Sequence, residues 1–257
     1  MTEAEGADVE GPPVVRADGE APAATVGPPG ATGPRLPATD GWGRSLVALA
    51  ALLPVAVVLA LRYEGAPAER VVVGAGAVAL AALTHNVAHE AGHAVAGAAV
   101  GFRAFGVVLG EGPVWGRLAV GRVPVELRGV LLGGVTRAAT RHRALFRTRQ
   151  VVSVLGGPLA TAAVTVAAWS WAAAPGATAV LRLALVGLGI VLLVQNLWPR
   201  SVTTGGRREP TDGLLVARTV VLTSAEVDEE VAAFPAYQAA AGVPVTTRRG
   251  GGLHPGH

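Results

Sequence analysis

The chain has 257 residues, 51% of them hydrophobic and only 15% charged, with a mean hydropathy of +0.47, whereas soluble domains carry about 25% charged residues. That composition is expected of an integral membrane protein, and its abundant Gly and Ala suit closely packed membrane helices. The net charge is +3 and all 21 basic residues are Arg; no basic stripe interleaved with aromatics occurs, which excludes nucleic-acid binding, and the absence of Cys excludes disulfides and thiolate metal ligands.

Residues 1–43 are rich in Pro, Gly and Ala without apolar periodicity, and are expected to form a disordered tail. No apolar core follows Met1, so no secretory signal peptide is expected. An uncharged apolar run over residues 45–61, bracketed by Arg44 and Arg62, predicts a first membrane span kinked at Pro54. The second span starts at Val71 and runs through His85-Asn86-Val87-Ala88-His89-Glu90-Ala91-Gly92-His93.

His89 and His93 are four residues apart, so on a helix they lie on one face about one turn from each other. Two imidazoles so placed can bind Zn²⁺, and Glu90 can reach a water held by the ion and take its proton. Residues 71–83 carry no charge and residues 94–100 are apolar again. Charged and ligating groups embedded in apolar helix are costly, which marks them as functional. The blander alternative is a His pair satisfied by hydrogen bonds between helices. Counted at 1.5 Å per residue, His89 lies roughly 27 Å from Val71, which puts the site inside the membrane near one surface.

Residues 101–150 contain nine Arg against Glu111 and Glu126, so the positive-inside rule makes this segment cytoplasmic. Short β-like runs at residues 107–109, 117–120, 123–127 and 130–132, separated by Gly, predict β-hairpins against or within the membrane. An exposed strand edge there could hold an extended substrate by strand addition. Residues 141–149 read as a basic segment attracted to anionic lipid. A third span is expected over residues 151–174 and a fourth over 178–198, joined at Pro175-Gly176. The expected fold class is therefore an all-α membrane protein, with four transmembrane helices and a membrane-associated β-hairpin segment between spans 2 and 3. Residues 44–222 are expected to form the membrane domain and residues 223–257 a polar or weakly helical cytoplasmic tail, with both termini cytoplasmic.

Two His leave a catalytic zinc one protein ligand short. Candidates beyond His93 are Glu111, Glu126, His142, Glu209, Asp212, His254, His257 and the acidic cluster between Glu226 and Glu230. Asp212 is best placed, following a polar break, with Gly213 allowing a close backbone turn. An Asp capping the next helix is the rival reading.

Together these motifs resemble the site-2 protease family of intramembrane zinc metalloproteases, over roughly residues 71–222. His89-Glu90-Ala91-Gly92-His93 is similar to the family's HExGH. Gly110-Glu111-Gly112-Pro113 and Leu127-Arg128-Gly129-Val130-Leu131-Leu132-Gly133-Gly134-Val135 are similar to its membrane re-entrant β segment. Gly157-Pro158-Leu159-Ala160 resembles the start of its GPLAN, and Asn196-Leu197-Trp198-Pro199 with Asp212-Gly213 resembles the two ends of its NxxPxxxLDG element. The resemblance implies one Zn²⁺ held by His89, His93 and Asp212, Glu90 as the catalytic base, and Asn196 as a residue that positions substrate or stabilises the transition state. It further implies a zinc metalloendopeptidase of the cell membrane, with its active site towards the cytoplasmic side. Its substrate would be a membrane-tethered protein, such as a single-span anti-sigma factor, cut in or near its membrane segment. Four features depart from the family pattern: Thr161 stands where GPLAN has Asn, the gap from Pro199 to Asp212 is longer, Val130 replaces a Pro, and no PDZ-type domain is expected. The alternative function is a non-catalytic relative that binds and regulates a membrane partner.

Overall fold

The computed structural model describes residues 67–204 and 207–240. The expected first span and both expected chain ends lie outside them. Among the described residues, three helices are long and apolar enough to cross a membrane: α1 (Ala68–Ala99), α2 (Phe146–Ser170) and α3 (Ala177–Leu197). They correspond to the second, third and fourth expected spans. α1 has 32 residues, about 48 Å, and so exceeds the roughly 30 Å hydrocarbon core.

α1 ends where its sequence supplies Gly101, whose φ is +85°. The Phe102 N–H donates back to the Gly97 carbonyl (2.8 Å) and the Gly101 N–H to that of Ala98 (3.2 Å). This left-handed C-terminal cap satisfies carbonyls the helix would otherwise leave bare, and a side chain at position 101 would strain it. α2 carries Pro158 internally, an interruption tolerated where neighbouring helices cover the freed carbonyl. It packs on α1 without side chains between them. A Cβ at Gly92 would collide with the Gly156 carbonyl, and one at Gly156 with that of Gly92. Ala96 and Ala160 follow one turn on, giving each helix the small-xxx-small seam that membrane helices use for close approach.

The segment between α1 and α2 departs from expectation. In place of short β-like runs it forms two long strands, β1 (Arg103–Val120) and β2 (Val123–Ala139). They pair antiparallel from Arg103↔Ala139 to Val120↔Val123 with repeated register shifts. Val107, Val108 and Leu109 pair with Thr136, Val135 and Gly134, and again with Val125, Glu126 and Leu127. The far arm of the hairpin is thus folded back, and the centre of β1 lies between two segments of β2. Gly110 and Gly112, both at positive φ, mark the bend in β1; periodicity alone reads such a bend as a break between strands.

After α3, a small hairpin of β3 (Ser201–Thr204) and β4 (Arg207–Pro210) leads into α4 (Asp212–Val221). The expected tail folds, over residues 224–240, into α5 (Ser224–Ala232) and α6 (Phe234–Ala240). Thr223 and Glu226 form a capping box at the start of α5. Val227 packs with Phe102 and Phe146, and Phe234 with Phe105 and Ala139. Arg143 pairs with Asp228, and the Arg141 guanidinium lies 5.4 Å from the centre of the Phe234 ring. These contacts fasten α5 and α6 to the base of the large hairpin.

Candidate metal centre

α1 presents His89 and His93 on the face turned towards α2 and α4, both largely buried. His93 lies six residues before the end of α1, about 9 Å from it, which places the centre within the span and near one end. The third group arrives from outside the spans. The β3–β4 hairpin closes on itself, with Ser201 opposite Pro210, and the Thr211 N–H donates to the Arg200 carbonyl (2.9 Å). The Thr211 hydroxyl caps α4 by accepting from the Leu214 N–H, and is placed to donate to the carbonyls of Trp198 (2.8 Å) and Arg200 (3.0 Å). Gly213 lies against the Leu197 carbonyl, where a Cβ would collide with it. The long gap between Pro199 and Asp212 therefore loops out, and its two ends are pinned together. Capping falls to Thr211, which leaves the Asp212 carboxylate to face the imidazoles.

The resulting geometry suits a tetrahedral ion. Nε2 of His89 lies 3.1 Å from Nε2 of His93 and 3.1 Å from Oδ2 of Asp212, while Nε2 of His93 lies 3.4 Å from Oδ1. Bonds of about 2.0–2.1 Å at tetrahedral angles put ligand atoms about 3.3–3.4 Å apart, close to these edges. The donor set agrees. Nδ1 of His93 lies 3.1 Å from the Ser153 carbonyl, which can only accept, so Nδ1 carries the proton and neutral His93 turns a bare Nε2 inward. Oδ2 of Asp212 is buried and accepts no hydrogen bond. A buried anion facing imidazole lone pairs calls for a cation among them.

Glu90 belongs to the large hairpin as much as to α1. It is 3% exposed, and its Oε2 accepts from the Thr136 hydroxyl at 2.6 Å. Gly134 faces it so closely that a Cβ there would lie 2.7 Å from Oε1. One turn earlier on α1, the Asn86 amide donates to the Gly133 carbonyl (2.7 Å). The Gly133-Gly134 pair is thus where β2 meets α1.

Among the described residues, His89, His93 and Asp212 are the one group of His, Asp and Glu able to hold an ion. Glu209 is exposed on β4 and stands outside it. Glu126 is engaged by Arg128 and Arg117, which outweigh its slight burial and hold its carboxyl below the usual range. His142 is exposed beside Gly101, Asp228 is bound to Arg143, and His254 and His257 lie outside the described residues. Asn196 sits half-buried on the last turn of α3, and none of the hydrogen bonds described at the site involves it.

Three supporting residues were not singled out from sequence: Thr136, Asn86 and Ser153. Their contacts depend on strand register and helix crossing. Thr161, noted only as a departure, lies with its hydroxyl 3.0 Å from Nδ1 of His89. Compared with models of known protein families, with curated proteins and with solved structures, the chain matches none.

Proposed function

We propose that this protein is a zinc-dependent intramembrane endopeptidase of the site-2 protease kind. The observation that carries the reading is the His89–His93–Asp212 triangle inside an apolar helix pair, with a buried carboxylate next in sequence to His89. His89, His93 and Asp212 would hold the ion. Bound there, Zn²⁺ would supply a Lewis acid that polarises a carbonyl and makes water acidic near neutral pH. Glu90 takes the proton from the attacking water as its oxygen bonds to the carbonyl carbon, then delivers it to the nitrogen as the C–N bond breaks. Thr136, by holding Oε2, keeps that carboxylate aimed. The closing segment of β2 runs beside Glu90, where an extended peptide would add to the strand edge. A helical substrate must unwind there, because its carbonyls are otherwise occupied. The fitting substrate class is a single-span, membrane-tethered protein. The basic segment between α1 and α2 favours a site on the cytoplasmic side of the cell membrane, and Asn196 would help hold the substrate.

The test compares wild type and Glu90→Gln, purified in detergent, on a panel of single-span substrates. Wild type should hold near one zinc per chain and cleave, while Glu90→Gln should retain zinc and lose at least about 10²-fold in rate. Cleavage by Glu90→Gln at the wild-type rate would sink the assignment of the base. Zinc bound by wild type with no peptide product from any substrate would favour a non-catalytic binding protein.

A further inference from the structure

We propose that Thr161 is the positioning residue that tunes the metal affinity of this centre, acting through His89. The inference rests on the metal-binding part of the reading above and is independent of peptide hydrolysis.

The two histidines are held differently. Nδ1 of His93 meets a main-chain carbonyl, which fixes one proton arrangement. Nδ1 of His89 meets a hydroxyl on α2, 3.0 Å away, and Thr161 is 1% exposed. A hydroxyl can accept from Nδ1–H or donate to a bare Nδ1. When Nε2 ligates an ion, Nδ1 must carry the proton and Thr161 accepts it in a hydrogen bond. When Nε2 instead carries the proton towards Asp212, the same hydroxyl turns and donates. Thr161 therefore partners His89 in both states. An amide at this position would need to flip end for end to do the same.

The placement of Thr161 is rigid. It follows Ala160 and lies five residues beyond Gly156, so the backbone-to-backbone crossing of α1 and α2 delivers its hydroxyl to the ring. Its own carbonyl accepts from the Thr165 hydroxyl (2.8 Å). Removing the hydroxyl leaves a buried ring nitrogen unpaired and frees the imidazole to turn, and a lost partner of this kind typically weakens metal binding about 10–100-fold.

The experiment strips metal from full-length wild type, Thr161→Val and Thr161→Ser in detergent micelles. Zn²⁺ is then titrated against a fluorescent chelator, and thermal unfolding of each metal-free protein is followed alongside. Thr161→Val should bind Zn²⁺ about 10–100-fold more weakly and also unfold somewhat earlier when metal-free, because the hydroxyl partners His89 in both states, while Thr161→Ser should stay within about threefold of wild type on both measures. If Thr161→Val fails to fold, Thr161→Ala carries the same expectation. Equal affinity of Thr161→Val and wild type would overturn the proposal alone, as would a Thr161→Ser loss as large as that of Thr161→Val. A wild type that takes up no Zn²⁺ would overturn the metal reading along with it.

Discussion

The proposed metal-holding histidines and the proposed base are neighbours in sequence but are built into different parts of the molecule. His89 and His93 are locked by α2 through helix backbones in contact at Gly92 and Gly156, and Asp212 is locked by the pinned start of α4. A side chain at Gly92, Gly156 or Gly213 would collide with the facing backbone. Glu90 depends instead on one hydroxyl and one glycine of a bent hairpin full of register shifts. A packed helix pair has one arrangement, whereas an irregular hairpin has several of similar energy. The His89–His93–Asp212 half is thus the more tightly packed and the Glu90 half rests on fewer contacts, so on the proposed reading the two can be perturbed separately.

The sharpest way to break this contrast is to remove a ligand. His93→Ala and Asp212→Ala should each lower zinc affinity by more than the roughly 100-fold expected from losing a supporting hydrogen bond. Metal content after dialysis reads this directly, and unchanged content in Asp212→Ala would dismantle the three-ligand centre. Next in size is Gly156→Val, which forces a side chain against the α1 backbone. Overpacking of this kind costs about 1–3 kcal/mol or more, and thermal unfolding should show stability and metal retention falling together. On the Glu90 half, Thr136→Val should leave zinc content at the wild-type level while lowering kcat roughly 10-fold, part of the 10²–10⁴-fold that a positioned base supplies. An effect confined to KM would show that Thr136 serves the substrate and not the base. The smallest effect is expected at Asp228, which is exposed and pairs with Arg143. That pairing holds its carboxyl below the usual range. A depressed carboxyl stabilises the fold above its unfolded-state value, and the contribution fades as pH falls through its folded value. Asp228→Asn should therefore narrow the stability difference between neutral and acid pH only slightly.

Three of the four expected spans and the His89–His93 pair were legible in the sequence for the same reason. Apolar runs and i,i+4 spacing are local, so helices from Val71, over 151–174 and over 178–198, follow from short-range pattern to within a few residues of those described. The grouping of Asp212 with the two histidines is long-range; Gly213 and the polar break flagged a tight turn, but capping stayed a rival until the family resemblance was added. The hairpin was only half legible. Its β character showed, but two long strands were read as short pieces because Gly110, Gly112 and Gly133-Gly134 mark bends and not ends. Thr136 could not be found at all, since a one-residue slip in register would point it away from Glu90. The C-terminal helices were missed because Val227, Val231, Phe234 and Tyr237 are sparse among acidic residues; their partners Phe102, Phe105 and Phe146 lie far away in sequence.

The pinning of Arg200 to Thr211 also decouples chain length from the geometry of the His89–His93–Asp212 group. Whatever is threaded between β3 and β4 leaves and returns at the same two points, and the entropic cost of a longer loop grows only logarithmically. This is a port in the polypeptide, where a tag, a reporter domain or a crosslinker spliced in should leave Asp212 beside the two histidines.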